Sequence, residues 1–149
     1  MDNKLEKFWM WLGKSPEEYA LEGMNQKNGE FEDEYPEFEK LLFYARKIVD
    51  SNKVDCSSID ELITIMALDN ESESILDYIE ERSSSEQLIK IIERGVSHLQ
   101  PNARWQVAEL IFRRFSPNYV DYLTQLSNDK HLYVKKRALN CLECIKNSH

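Results

Sequence analysis

The stretch from Asp129 to Leu142 constrains this chain most. It reads Asp129-Lys130-His131-Leu132-Tyr133-Val134-Lys135-Lys136-Arg137-Ala138-Leu139-Asn140-Cys141-Leu142. Val134, Ala138, Cys141 and Ile145 recur at helical spacing and share one face. Small residues on that face let a neighbouring helix approach closely. Setting Ala103 on Val134 and Arg104 on Lys135 aligns Val107 with Ala138 and Leu110 with Cys141, an offset of 31 residues (134 − 103). That offset lies in the range of helical repeat periods. A helical hairpin of this size cannot bury its apolar face alone, so successive hairpins must stack into one core.

These residues resemble the second-helix signature of a HEAT repeat. Asp129 opens the turn, Val134 packs inward, and Lys135 stands where that family usually carries Arg. Pro101 sits where HEAT turns often place proline. The resemblance covers roughly 57–147. In the unit at Asp69 the spacing survives through Ile75 and Ile79, but no cation follows the packing residue. The N-terminal third aligns with no HEAT unit. The resemblance implies an all-α fold: a right-handed α-α superhelix of stacked helical hairpins. Its single domain, 1–149, would comprise an N-terminal helical cap over 1–56 and about three pairs over 57–149. It also implies that second helices line a concave surface, here 73–81, 103–114 and 132–144. Asp77, Glu80, Glu81, Trp105, Glu109 and Arg113 are then expected to be exposed on it. Arg104 and Asp129 match positions that form structural contacts between adjacent units.

Composition agrees with helices. Four Gly and four Pro among 149 residues supply few of the turns that a strand-rich fold needs. No apolar run approaches the roughly 20 residues that cross a bilayer. The charged segment Met1 to Gly13 is not a signal peptide. A cytoplasmic protein is expected, and three cysteines without a framework spacing argue against a disulfide scaffold. The formal charge of -8 conceals an asymmetry. Residues 1–82 hold 9 Lys+Arg against 21 Asp+Glu, a net of -12, whereas 83–149 hold 10 against 6, a net of +4. Acidic surfaces repel nucleic acid and attract basic partners, and they also confer solubility.

Taken in order, the pattern predicts a helix over 4–12 with Leu5, Phe8, Trp9 and Leu12 on one face and Trp11 and Met10 off it. Gly13 ends it. Ser15, Pro16 and Glu18 then form a capping box that opens a second helix. The segment 25–34 reads as a loop ending in Glu30-Phe31-Glu32-Asp33-Glu34, either a solvated acidic loop or a docking loop with Phe31 as apolar anchor. Pro36 begins a longer helix with Phe38, Leu41, Leu42, Ala45, Ile48 and Val49 as its stripe. Ser58 is read as the cap of a helix over 59–68. Further helices are expected at 73–81, at 86–95 after Ser85, at 103–114, at 117–127 and from His131 to about Lys146.

The chemistry-bearing motifs are sparse. Four isolated glycines form no phosphate-binding loop. Cys141 and Cys144 are half a zinc motif at most, with only His131 and His149 nearby in sequence. The histidines, at 98, 131 and 149, form no nucleophile–base pattern with a third orienting group. No catalytic residue, cofactor or metal is expected, and the chain is not read as an enzyme. Arg104, Arg113, Arg114, Lys135, Lys136 and Arg137 cluster with Trp105 and Tyr133, which would suit a nucleic-acid backbone. The acidic half would face the same ligand and oppose it.

The size, acidity and Trp-rich helical N-terminus resemble, in type rather than in motif, bacterial immunity proteins that neutralise toxins. That resemblance implies a basic partner, of which nuclease-type toxins are examples. Its contacts are expected at Glu30, Glu32, Asp33 and Glu34 with Asp77, Glu80 and Glu81, and its apolar anchors at Phe31 and Trp105. A HEAT-like adaptor in a larger assembly and a nucleic-acid binder using the basic half are the alternatives. No membrane partner is expected, and the sequence leaves the oligomeric state open.

Overall fold

A computed structural model describes residues 3–23, 31 and 34–148. Among the described residues every regular element is helical. The first, α1 (Lys4–Leu12), starts where the Asn3 side chain accepts the Glu6 N–H. It stops at Gly13, whose φ of 76° closes the helix with a hydrogen bond to the Trp9 carbonyl. Helix α2 (Pro16–Glu22) carries the capping box expected at Ser15 and Glu18, with both reciprocal bonds made.

Neither helix can bury its apolar side alone, and the chain solves this with rings. Phe8 lies edge-on to Trp9, Phe31 and Tyr35 at 5.1, 5.0 and 5.2 Å between centroids. Tyr19 and Trp11 border the same cluster through Phe31. Such contacts add to the area term for burying each ring.

Helix α3 (Phe38–Asp50) buries the stripe expected of it: Phe38, Leu41, Leu42, Ala45, Ile48 and Val49. Pro36 lies in the turn before it rather than inside its first turn. Helix α4 (Cys56–Leu68) begins three residues earlier than expected. Asp55, not Ser58, is its N-cap, accepting the Ser58 N–H at 3.0 Å. Ser58 is itself buried within the helix. The run Ile65-Met66-Ala67-Leu68 is buried without a break, because α3, α5, α6 and α7 all pack against α4.

Helix α5 (Ser74–Arg82) is entered through Glu73 in a left-handed conformation, φ 55°. Buried Asp69 satisfies its start from a distance, accepting the Ser74 hydroxyl at 2.8 Å and the Ile75 N–H at 2.9 Å. Helix α6 (Ser85–Gly95) is capped by Ser84, one residue before the expected Ser85. Helix α7 (Pro101–Arg113) opens on proline and is buried on most of its circumference. A 3-10 turn at Pro117–Tyr119 leads into α8 (Val120–Leu126), and α9 (Leu132–Ser148) closes the chain.

The most extensive packing is between α7 and α9, followed by α8 against α9. Val134, Ala138 and Cys141 supply the buried seam of α9, as the spacing predicts. Buried side chains from Leu5 to Cys141 form one contiguous core. Two buried glutamines tie its layers. Gln87 donates to the carbonyls of Ile48 in α3 and of Lys53 just beyond it, and Gln106 to those of Met66 and Asn102. Each thereby links one helical layer to the next through buried backbone acceptors.

The N-terminal segment is strapped down at two points. Gln100 donates to the Pro16 carbonyl at 2.8 Å, and the His131 ring bonds the Gly23 carbonyl. Helix α2 therefore spans the α6–α7 and α8–α9 turns. No helix among the described residues is long and apolar enough to cross a membrane.

Candidate protein-binding face

Helices α5, α7 and α9 bring together most of the residues expected on a concave surface, in an arrangement the pattern alone does not give. A ladder of charge crosses the three helices. Arg113 donates to Asp77 on α5 at 2.8 Å and to Glu109 one turn back at 3.2 Å. The other oxygen of Glu109 accepts two bonds from Arg137 on α9, at 3.2 and 3.1 Å. Arg137 also donates to the Tyr133 hydroxyl at 2.9 Å. Glu80 stands 3.9 Å from Arg113. Glu109, its side chain 16% exposed, thus sits between two guanidiniums. An exposed ion pair contributes about 0–1 kcal/mol, whereas linked, half-buried pairs hold geometry more firmly.

Trp105 does not serve as an exposed anchor. It is 0% exposed. Its indole N–H donates to Asn102 at 2.9 Å, its ring meets Tyr133 edge-on at 5.5 Å, and the Arg137 guanidinium lies 4.8 Å from its centroid. The physical reason is that α9 packs along α7 and closes over the position. Phe31 is corrected likewise: at 8% exposure it fills the gap between α1 and α2 against Phe8, Trp11 and Tyr19. Glu109 and Arg113 are half-buried and mutually paired rather than presented to solvent. Asp77, at 63% exposure, and Glu81 do face solvent, with Glu80 partly covered, and Glu34 is exposed. Glu30, Glu32 and Asp33 lie outside the described residues.

The arginines of the basic half are likewise occupied. Arg104 grips Asp129 through two bonds at 2.8 and 3.2 Å and also donates to the carbonyls of His98 and Leu99. This is the scaffold contact expected of that pair. Arg114 donates to the carbonyls of Glu80 and Ser83 at the end of α5. Lys135 and Lys136 are exposed.

The two described histidines are built into the frame. Nδ1 of His98 accepts the Gln100 N–H at 3.0 Å, which leaves Nε2 to donate to Thr64 Oγ1 at 3.1 Å. Burial pushes the His98 pKa down to about 4. His131 spends its ring on the Gly23 carbonyl and the Val134 N–H. Burial, reinforced by the Glu109 carboxylate 3.9 Å away, raises the Cys141 thiol to about 12, an unreactive state. Among the described residues no group of three or more His, Cys, Asp or Glu could hold a metal ion.

One surface feature went unread in the sequence. An open groove of about 720 Å³ runs between α1, α2 and the start of α4. Leu5, Trp9 and Met10 line it, and Glu6, Glu18 and Glu61 border it together with Lys14, which is paired with Glu22 at 2.7 Å. Met10 is 76% exposed. Its position off the α1 stripe was the available signal.

No protein-family model, curated protein or solved structure matches this chain.

Proposed function

We propose that this chain is a HEAT-like stack of helical pairs that binds another protein through an acidic surface. The pairs are α4 with α5, α6 with α7, and α8 with α9, wound as a right-handed superhelix beneath the cap formed by α1 to α3. The reading extends to an immunity protein of the bacterial type, which neutralises a basic, nuclease-like toxin by covering its cationic cleft. Electrostatic steering would speed capture of such a partner.

The observation that carries this reading is the unequal fate of the charges. Arg104, Arg113, Arg114 and Arg137 are consumed by internal contacts. Glu6, Glu34 and Glu81 remain outward without an ion pair among the described residues, whereas Asp77 is exposed but held by Arg113. The four arginines are thus fixed in internal contacts rather than arrayed along a groove for a polyanion, which disfavours nucleic acid. The apolar anchor assigned to Phe31 and Trp105 passes to Met10 in its acid-bordered groove.

The test is affinity capture from the native host lysate at low and high salt, with the wild type and with a Glu6→Lys/Glu34→Lys/Glu81→Lys variant. A single basic, nuclease-like protein, released by salt and poorly retained by the variant, is the expected result. Recovery of nucleic acid alone overturns the reading. Several unrelated proteins, retained equally by both chains, would favour the adaptor. One feature supports that second reading: Val120, Leu139, Leu142 and Ile145 line an apolar groove of about 910 Å³ on the outer side of α8 and α9. Another helical unit could stack there.

A further inference from the structure

The acidic half does not distribute its few cations evenly. Of the nine Lys and Arg in residues 1–82, five (Lys4, Lys7, Lys40, Arg46 and Lys47) gather on one face of α1 and α3. If charge here served solubility alone, both signs would be interspersed. Instead the cations surround a single exposed aromatic side chain, Phe43, at 58% exposure.

The helical register explains how the face arises. The buried stripe of α3 occupies positions 38, 41, 42, 45, 48 and 49. Positions 39, 40, 43, 46 and 47 project from its other side. Phe43 is surplus to the core, and Lys47 Nζ lies 5.8 Å from its ring centroid. Phe43 and Tyr44 line a groove of about 500 Å³ whose borders include Lys4, Lys40, Arg46 and Lys47. Glu39 is the one carboxylate on that border. Lys4 and Lys40 also line the adjoining hollow, where Glu37 holds Lys40 at 2.9 Å and Lys7 at 3.7 Å. Among the described residues Lys4, Arg46 and Lys47 make no ion pair. Three cations thus border an apolar hollow with no carboxylate paired to them among the described residues.

We propose that this face is a second docking surface, for an acidic amphipathic segment of a partner protein. An apolar side chain of the segment covers Phe43, and its carboxylates meet Lys4, Arg46 and Lys47. The volume suits one or two side chains of a helix laid in a groove. A nucleic acid is the poorer occupant, because an extended polyanion would leave the patch and run onto a half-chain of net charge -12. This inference is independent of the acidic-surface reading, since it concerns a different face and a partner of opposite sign.

Fluorescence anisotropy decides it. The probe is a labelled synthetic helix-forming peptide with Leu and Phe on one face and Glu on the other. A scrambled peptide of equal charge and an oligothymidylate are the comparisons. The amphipathic peptide should bind, and Phe43→Ala and Lys47→Glu should each weaken it about tenfold or more. Both positions are exposed, so both variants should keep the wild-type circular dichroism. Absence of binding overturns the proposal, as does binding that neither substitution changes. Equal affinity for the scrambled peptide also overturns it, by showing charge attraction without a docking groove. Tighter binding of oligothymidylate, lost on Lys47→Glu, overturns it in favour of a polyanion site.

Discussion

At the scale of single residues, the polar groups inside this protein are positioners, and His98 shows what that costs. Its Nδ1 accepts a backbone N–H from Gln100. A proton placed there would oppose donor to donor at a half-buried ring that packing shields from water, close to the Arg104 guanidinium, with Asp60 only partly compensating. The folded pKa is therefore about 4, against 6.5 for an unperturbed imidazole. Between those values the unfolded chain binds a proton that the folded chain refuses, so stability falls as pH drops through this window and levels off below it. The window corresponds to about 3 kcal/mol. Urea unfolding at pH 7 and pH 4.5 should show a smaller acid loss for His98→Gln than for the wild type. Equal acid losses in the two proteins would remove His98 from this account. The neighbouring carboxylates contribute to both proteins alike, so the difference isolates the imidazole.

At the scale of elements, the α6–α7 contact depends on the absence of a side chain. A Cβ built on Gly95 would come within 2.4 Å of Val107 Cγ2, with the other methyl and Cβ of Val107 at 3.6 and 3.5 Å. Val107 is fully buried and β-branched, so rotating it only exchanges one clash for another. Gly95→Ala gains up to about 1 kcal/mol of helix propensity. It should nevertheless lose about 1–3 kcal/mol to overpacking, read as a lower denaturation midpoint. A more stable variant would mean that α6 and α7 separate without penalty.

The same scale shows what was legible in the sequence. The stripe of α3 and the buried seam of α9 were readable because period and burial coincide there. The starts of α4 and α6 were missed by one to three residues. In each case two candidate caps stand close together, Asp55 with Ser58 and Ser84 with Ser85, and both patterns satisfy the rule. Trp105 and Phe31 failed for another reason. A helical wheel places a side chain relative to its own axis, but burial depends on what lies against it. The closure of α9 over α7, and the gap between α1 and α2, are long-range facts. The acid-bordered groove at Met10 was hidden because it exists only once α4 arrives beneath α1 and α2.

At the scale of the whole molecule, the N-terminal segment behaves as a strap across the turns between α6 and α7 and between α8 and α9. Its two ties join residues far apart in sequence, Gln100 to Pro16 and His131 to Gly23. Each closes a long loop, and the entropy of that closure must be recovered by contacts made at the strap itself. The aromatic cluster contributes to that recovery by burying its rings, and the two ties fix where the segment lies. Removing one tie should therefore loosen the strap while leaving the stack intact. His131→Ala should cost about 1–2 kcal/mol, because the buried Gly23 carbonyl loses its donor, and Gln100→Ala about 1 kcal/mol for one lost hydrogen bond at the half-buried Pro16 carbonyl. Amide hydrogen exchange should quicken first in α1 and α2, with α4 and α7 keeping near wild-type protection. Uniformly faster exchange through α4 and α7 would instead mean that the strap and the stack unfold as one cooperative unit. The outcome also bears on recognition, since Met10 and its acidic border ride on the strapped segment. On the proposed function, a loosened strap should weaken capture of the proposed basic partner while leaving the Phe43 face, most of which belongs to α3, able to bind the acidic amphipathic peptide.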